Sequence, residues 1–197
     1  MKHAAIAPVR AAMMAAAQRA SALMVRTPQI TCKPKCSACC KRYVPITLAE
    51  ALVLIDFLKK HERWDRVAAS AEAQRDASMT VRPVAWFKMG LACPILNQDG
   101  MCDAYPVRPV ACSAHFAVSP PEACGPLSTS FNQFEPCEFA EVHVEFAKAF
   151  DTVVSASSSL RIRAPVSAAL LMGDKLSITP GPDFDSVITT LMKEFKK

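Results

Sequence analysis

The chain has 197 residues, 51% of them apolar, and a formal net charge of +5. That composition supports one domain with a buried core, while only five glycines argue against a phosphate-cradling glycine loop. The charge gives little support for nucleic-acid binding, and no stretch approaches the length of a membrane span. Nine cysteines, an odd number without a convincing export signal, predict a cytoplasmic protein whose thiols stay reduced.

The predicted elements begin with an amphipathic helix over residues 4–25, with apolar positions at three- and four-residue steps: Ile6, Val9, Met13, Ala17, Ala20 and Met24. The next helix begins at a capping box, with Thr47 as the N-cap and Glu50 at the third helical position. Its predicted buried face is formed by Leu48, Leu52, Ile55 and Leu58 or Phe57. Another helix is predicted from about Asp65 to about Met79.

Residues 81–137 have little periodicity, and their apolar contacts look sparse. An irregular stretch of this length needs another source of order, which metal coordination can supply. Helical periodicity returns from Glu138, with an apolar stripe at Phe139, Val142, Phe146, Phe150, Val153 and Val154. A short apolar stretch over 164–172, a Pro-Gly-Pro turn at 180–182 and a final helix from about Asp185 follow.

These elements predict a mainly α fold, with helices packed around a cysteine- and proline-rich irregular metal-binding core. We expect an N-terminal amphipathic helix over residues 1–26 and a cysteine-cluster metal-binding domain over residues 27–137. Residues 138–197 are then a C-terminal helical extension of the same domain.

The first cysteine group reads Cys32-x3-Cys36-x2-Cys39-Cys40, a spacing that can turn several sulfurs toward one centre. Adjacent Cys39 and Cys40 are expected to point in different directions, so that one joins this centre and the other packs or serves a second. Nearby basic residues would offset the negative charge of metal-bound thiolates: Lys33, Lys35, Lys41 and Arg42.

The second group comprises Cys93, Cys102, Cys112 and Cys124. Together the two groups supply enough thiolates for two four-thiolate zinc sites, or for one iron–sulfur cluster with structural thiols. Cys137 is the ninth cysteine and opens the next predicted helix, so it is the first to leave out of the ligand set.

The motifs Cys32-x3-Cys36-x2-Cys39-Cys40, Cys93-Pro94-x-Leu96 and Cys102-x2-Tyr105-x2-Arg108-Pro109-x2-Cys112 resemble those of the YkgJ-type cysteine-cluster family, a family of zinc- or iron-chelating domains. The resemblance runs from about Cys32 to about Cys124. It implies a ligand set of eight cysteines: Cys32, Cys36, Cys39, Cys40, Cys93, Cys102, Cys112 and Cys124. The family often has a basic residue where this chain has Ser113.

The resemblance also implies an iron–sulfur cluster, of the [4Fe–4S] type, because related lysine methylases of flagellin carry one. An oxidoreductase or methyltransferase-like activity rests on that likeness alone. Zinc is the alternative, because thiolates suit both metals, and it would make the chain a structural or binding module without redox activity.

Three further interpretations of the cysteine pattern have less support. The Cys32-x3-Cys36-x2-Cys39 spacing occurs in radical S-adenosylmethionine enzymes, but the chain lacks their strand–helix alternation. Metal storage would place cysteines along helices, whereas most of them lie in proline-rich loops. Nucleic-acid binding would need paired knuckles and an aromatic-basic stripe, neither of which is present.

Two residues of the second group are candidates for contacts around the cofactor. Arg108 can donate hydrogen bonds to cluster sulfurs or to an anionic substrate, and Tyr105 can orient it. The simpler interpretation is that Tyr105 packs and Arg108 holds loop carbonyls. His115 is the best non-cysteine ligand candidate, although a structural histidine is the commoner case. A partner protein remains open, and its identity does not follow from the sequence.

Overall fold

The computed structural model describes residues 2–33, 35–125, 135–153 and 161–178. Eight α-helices dominate these ranges: α1 (Lys2–Val25), α2 (Leu48–Lys60), α3 (Trp64–Ala73), α4 (Arg75–Thr80), α5 (Pro83–Met89), α6 (Val110–Ser113), α7 (Ala140–Val153) and α8 (Val166–Ile178). The predicted mainly α fold with an irregular cysteine-rich middle is confirmed. None of the described helices is long and apolar enough to cross a membrane.

Four three-residue strands join distant parts of the chain as two antiparallel pairs. β1 (Pro45–Thr47) pairs with β4 (Arg163–Pro165), and β2 (His115–Ala117) pairs with β3 (Pro136–Glu138). The apolar stretch predicted over 164–172 therefore divides between β4 and α8. The Pro-Gly-Pro turn, the final helix from Asp185 and the stripe position Val154 lie outside the described residues.

Helix α1 packs against α2 and α7 through much of its predicted apolar stripe. Val9, Met13 and Ala20 are buried, as expected, together with Ala16. Ala17 is only half-buried and lies toward the edge of the contact. On α7 the predicted positions Phe139, Val142, Phe146 and Phe150 are all buried, with Phe139 just ahead of the helix.

The capping box at the start of α2 is confirmed. The Glu50 backbone N–H donates to Thr47 Oγ1 at 3.2 Å, and Thr47 N donates to Glu50 Oε2 at 2.9 Å. The core face of α2 includes Leu48, Ile55 and Leu58, whereas Leu52 and Phe57 are half-buried. This helix packs against α8 in the centre of the fold.

The single helix predicted over residues 65–79 is instead two helices, α3 and α4, that meet at Gln74. The Gln74 side chain bridges two other segments: Nε2 donates to Ala92 O at 2.7 Å, and Oε1 accepts from Ser167 Oγ at 2.8 Å. Sequence periodicity does not predict the helix break at Gln74, because the hydrogen-bond partners of this side chain are distant in sequence.

Residues 81–125 are better packed than their weak periodicity indicates. Trp86, Ile95, Val107, Val110 and Phe116 are all buried, and four of them belong to the main apolar core. The expectation of sparse apolar contacts is therefore wrong for this part of the chain. Short helices and turns put single apolar residues into the core without producing a repeating pattern.

Candidate metal centre

The eight cysteines of the predicted ligand set come from three chain segments that the fold brings together. The first is the loop over 32–40, which ends in a 3₁₀ turn over Ala38–Lys41. The second is the turn over 93–102, and the third runs from α6 to a 3₁₀ turn over Pro121–Cys124. All nine cysteines of the chain are free thiols.

Two backbone hydrogen bonds dock the first cysteine loop onto the other segments. Thr31 N donates to Ala117 O at 2.9 Å, so the loop starts against β2. Cys93 N donates to Cys40 O at 2.7 Å, which places the double-cysteine end beside the second segment. These bonds connect the first cysteine loop to both of the other segments, and Thr31 Oγ1 adds a side-chain hydrogen bond to Ala117 O.

The turn over 93–102 is ordered by Asn97 and Gly100. Asn97 Oδ1 accepts from the backbone N–H of Asp99 at 3.0 Å and of Met101 at 2.9 Å. Gly100 has a φ of 73°, in the left-handed region that favours glycine. Leu96 and Cys102 then form an antiparallel bridge that closes the turn.

A charged network fastens this turn to α3. Asp103, with a side chain only 7% exposed, accepts from Arg66 Nη2 at 2.7 Å and from Arg63 Nη1 at 3.2 Å. Asn97 Nδ2 donates to the same carboxylate at 2.9 Å. Arg66 also donates to the carbonyls of Pro94 and Leu96, so α3 holds both ends of the turn. We call this group the Asp103 clamp.

The position of α6, which carries Cys112, depends on Glu50. The Oε1 atom of this buried carboxylate accepts from Val110 N, the first residue of α6, at 3.1 Å. The same side chain caps α2 through its other oxygen. Glu50 therefore joins the start of α2 to the start of the cysteine-bearing helix.

One group of thiols consists of Cys39, Cys40, Cys93, Cys102 and Cys112. Burial raises the pKa of Cys93 to about 12, and the proximity of Cys102 adds to the rise. Burial also raises the pKa of Cys112 well above its usual value, with contributions from Cys93, Cys102 and Cys39. The thiols of this group thus lie close enough to influence one another's ionisation.

The adjacent pair Cys39 and Cys40 is expected to divide between two directions. Cys40 lowers the pKa of Cys39, and Cys39 together with burial raises that of Cys40. The two thiols therefore influence each other's ionisation, and their division between two centres stays a prediction. Cys39 is also exposed, so it forms the solvent-facing edge of the group.

A second group consists of Cys32, Cys36 and Cys124. Burial raises the pKa of Cys32, and Cys36, Cys39 and Cys124 raise it further. The pKa of Cys124 is raised by burial and then by Cys36 and Cys39. Cys39 therefore affects the ionisation of members of both groups, and the ligand set of eight cysteines stays a prediction.

Two arginines supply positive charge beside these thiols. Arg42 and Arg108 both lower the pKa of Cys39, and Arg108 lowers that of Cys102 and Cys112 as well. Arg108 stacks on Tyr105, 4.2 Å from the ring centroid, and its Nε donates to Ser113 Oγ at 3.2 Å. Ser113 thus orients a neighbouring cation at the position where the family often has a basic residue.

His115 and Cys137 lie beside the thiol groups. The Nε2 atom of His115 contacts Arg42, and its Nδ1 lies 3.1 Å from Glu138 Oε1. Both ring nitrogens therefore already have protein partners, which supports a structural role. Cys137 lies in β3, opposite Phe116, rather than at a helix start, and packs against the main core.

In the described ranges, no three cysteine, histidine or acidic side chains stand together in an arrangement ready to hold a metal ion. The donor chemistry nevertheless fits zinc or iron, since both take thiolates from clustered cysteines. Metal binding would therefore require the cysteine side chains to rearrange.

Comparison with known families agrees with this site. Residues 31–138 match the family model CxxCxxCC, which is described as "Putative zinc- or iron-chelating domain". The match covers more than half of the chain, and the protein belongs to this family. One difference is visible: the family name has two residues between its first two cysteines, whereas three separate Cys32 from Cys36. No curated protein and no solved structure matches the chain.

Several residues that position the site were absent from the predicted site residues. Asp103, Arg63 and Arg66 hold the second cysteine turn, and Glu50 was predicted only as a cap. Arg63, just ahead of α3, and Arg66, in its first turn, are three residues apart, which is a weak signal of a shared partner. Nothing in the sequence pairs them with Asp103.

Proposed function

We propose that the clustered cysteines of this protein bind a [4Fe–4S] cluster that serves an electron- or methyl-transfer reaction. The ligands would come from the predicted set: Cys32, Cys36, Cys39, Cys40, Cys93, Cys102, Cys112 and Cys124. The observation that supports the proposal is the docking of the first cysteine loop onto the other two cysteine-bearing segments, through Cys93 N to Cys40 O and Thr31 N to Ala117 O. When bound, the cluster would supply the redox or electrophilic chemistry.

Arg42 and Arg108 favour a metal complex over packed thiols. Neutral thiols gain little from a neighbouring cation, whereas thiolates bound to a metal leave the complex with net negative charge. Burial and mutual repulsion raise the pKa of Cys93 and Cys112, so these thiols are neutral without a metal. A metal ion would offset that repulsion and displace their protons.

The exposure of Cys39 favours a redox cluster over a structural zinc ion. A cluster that Cys39 ligates would lie near the surface, within reach of an electron-transfer partner. The number of thiols suits two tetrahedral zinc sites as well as one cluster with structural thiols.

Zinc remains the second candidate, and the Asp103 clamp favours it. A turn fastened by Arg63, Arg66 and Asn97 resembles the rigid, closed surroundings of structural zinc. In that case the protein would be a binding module without redox activity.

Anaerobic purification with joint analysis of iron, zinc and acid-labile sulfide tests the proposal. The wild type should contain iron and sulfide and absorb broadly in the visible range. Cys112→Ser should lose most of the cluster, whereas the matched control Cys137→Ser should keep it. A colourless protein with stoichiometric zinc, even after iron and sulfide are supplied, would establish the zinc module instead.

A further inference from the structure

A shallow cavity of about 390 Å³, open to solvent, lies between α1 and the turn that precedes Arg108, and Met14 and Tyr105 beside it are exposed. Met14, Ala17 and the ring of Tyr105 provide apolar wall, and Gln18 and Ser21 add polar groups on the helix side. Arg108 is the one charged residue among the described residues that line it. The cavity therefore combines an apolar surface with a single cation.

Arg108 has a fixed orientation, but only part of its hydrogen-bond donors have an acceptor among the described residues. Its Nε donates to Ser113 Oγ and its planar guanidinium stacks on Tyr105, which together fix the orientation of the group. Within the described residues, its two terminal amino groups have no hydrogen-bond acceptor. A fixed guanidinium with two free amino groups is suited to bidentate binding of a carboxylate.

Arg63 and Arg66 differ from Arg108 in having an acidic partner. Both pair with the buried carboxylate of Asp103. The guanidinium of Arg108 has no acidic partner among the described residues, and no acidic residue lines its cavity there. A negatively charged ligand would accept from the terminal amino groups of Arg108, while the charge of Arg108 still acts on the thiols beside it.

We propose that this cavity binds a small organic carboxylate. Its carboxylate would bind the terminal amino groups of Arg108, and its apolar body would lie against Tyr105 and Met14. Because Arg108 Nε donates to Ser113, the residue that follows Cys112, the ligand would be held beside the candidate metal centre. The proposal goes beyond metal binding and holds for either metal.

Calorimetric titration of the full chain, with the metal it carries as purified, tests this site. Benzoate is the probe, benzamide is its neutral isostere, and inorganic phosphate represents an oxyanion without an apolar body. For a ligand of this size we expect a dissociation constant for benzoate on the order of 1 mM. Benzamide and phosphate should each bind at least about tenfold more weakly.

Two variants locate the binding. Arg108→Gln should weaken benzoate binding by about tenfold or more, because a charge-assisted hydrogen-bonded pair is lost. Ser21→Trp, at an exposed helix position, should abolish binding by filling the cavity while leaving Arg108 in place. Thermal unfolding of each variant reports whether it is folded.

Equal affinity for benzoate and benzamide, or unchanged binding in folded Arg108→Gln, would overturn the proposal. Unchanged binding in Ser21→Trp would refute the location, and phosphate binding as tight as benzoate would refute the organic ligand class. The metal content of the same samples is measured separately. Selective benzoate binding by metal-free protein would therefore support this site while contradicting the proposed metal centre.

Discussion

Substitution of Asp103 by asparagine tests whether the Asp103 clamp holds the second cysteine turn. The change keeps the size of the side chain but removes the charge that Arg63 and Arg66 share. The asparagine also places an amide NH₂ group, itself a donor, beside the N–H donors of Arg63 and Arg66. Loss of one partner from a fully buried ion pair costs about 3–5 kcal/mol. The arginines here are 48% and 42% exposed, so water can replace part of the interaction.

We therefore expect Asp103→Asn to lower the free energy of unfolding by about 2 kcal/mol, which is roughly a 30-fold change in the unfolding equilibrium. If metal leaves when the turn detaches from α3, its removal by EDTA should become faster by up to about the same factor. Urea denaturation measures the first quantity, and the rate of metal loss measures the second.

Glu72→Gln is the matched control for Asp103→Asn. Glu72 pairs with Arg75 at 2.9 Å, but its side chain is 56% exposed, and Arg75, with which it forms this ion pair, is not in a cysteine-bearing segment. This variant should change the free energy of unfolding by less than about 0.5 kcal/mol and leave the rate of metal loss unaltered. If Asp103→Asn behaves like Glu72→Gln in both assays, the clamp does not hold the turn and the reasoning fails.

Three further outcomes are expected. In urea denaturation, Glu50→Ala should lower the free energy of unfolding by about 3 kcal/mol, and Thr47→Ala by about 1 kcal/mol. The loss is larger for Glu50→Ala because this variant also leaves Val110 N without an acceptor. Equal losses would show that the link from Glu50 to α6 contributes nothing. Removal of the metal should abolish amide-exchange protection over 36–42 but preserve it over 104–117, which packs in the core. Equal loss of protection in both segments would contradict this division. Leu54 is fully buried, and Leu54→Ala should lower the free energy of unfolding by about 3 kcal/mol. Val84 is 70% exposed, and Val84→Ala should lower it by less than about 0.5 kcal/mol in the same assay.

Local signals in the sequence predicted the helical framework well. The capping box at Thr47 and Glu50 and the stripe of α7 depend on residues three or four apart, so the pattern is visible in the sequence. The family resemblance, which rests on cysteine order and spacing, is likewise confirmed. These features need no knowledge of distant contacts.

The contacts that position the site depend on tertiary structure. The Asp103 clamp joins α3 to a turn more than thirty residues away, and Glu50 reaches Val110 across sixty. The break at Gln74 arises for the same reason, because its amide bonds two distant segments. Residues near 104–117 reach the core through short turns, and so the sequence shows no periodicity there.

The most direct test of the central claim is X-ray absorption at the metal edge of the anaerobically purified protein. The account predicts sulfur ligands at about 2.3 Å, and for a [4Fe–4S] cluster an additional iron–iron scattering contribution. Sulfur ligands around an isolated zinc ion would retain the cysteine centre but reassign the metal. A first shell dominated by nitrogen or oxygen would contradict the claim that the clustered cysteines form the metal site.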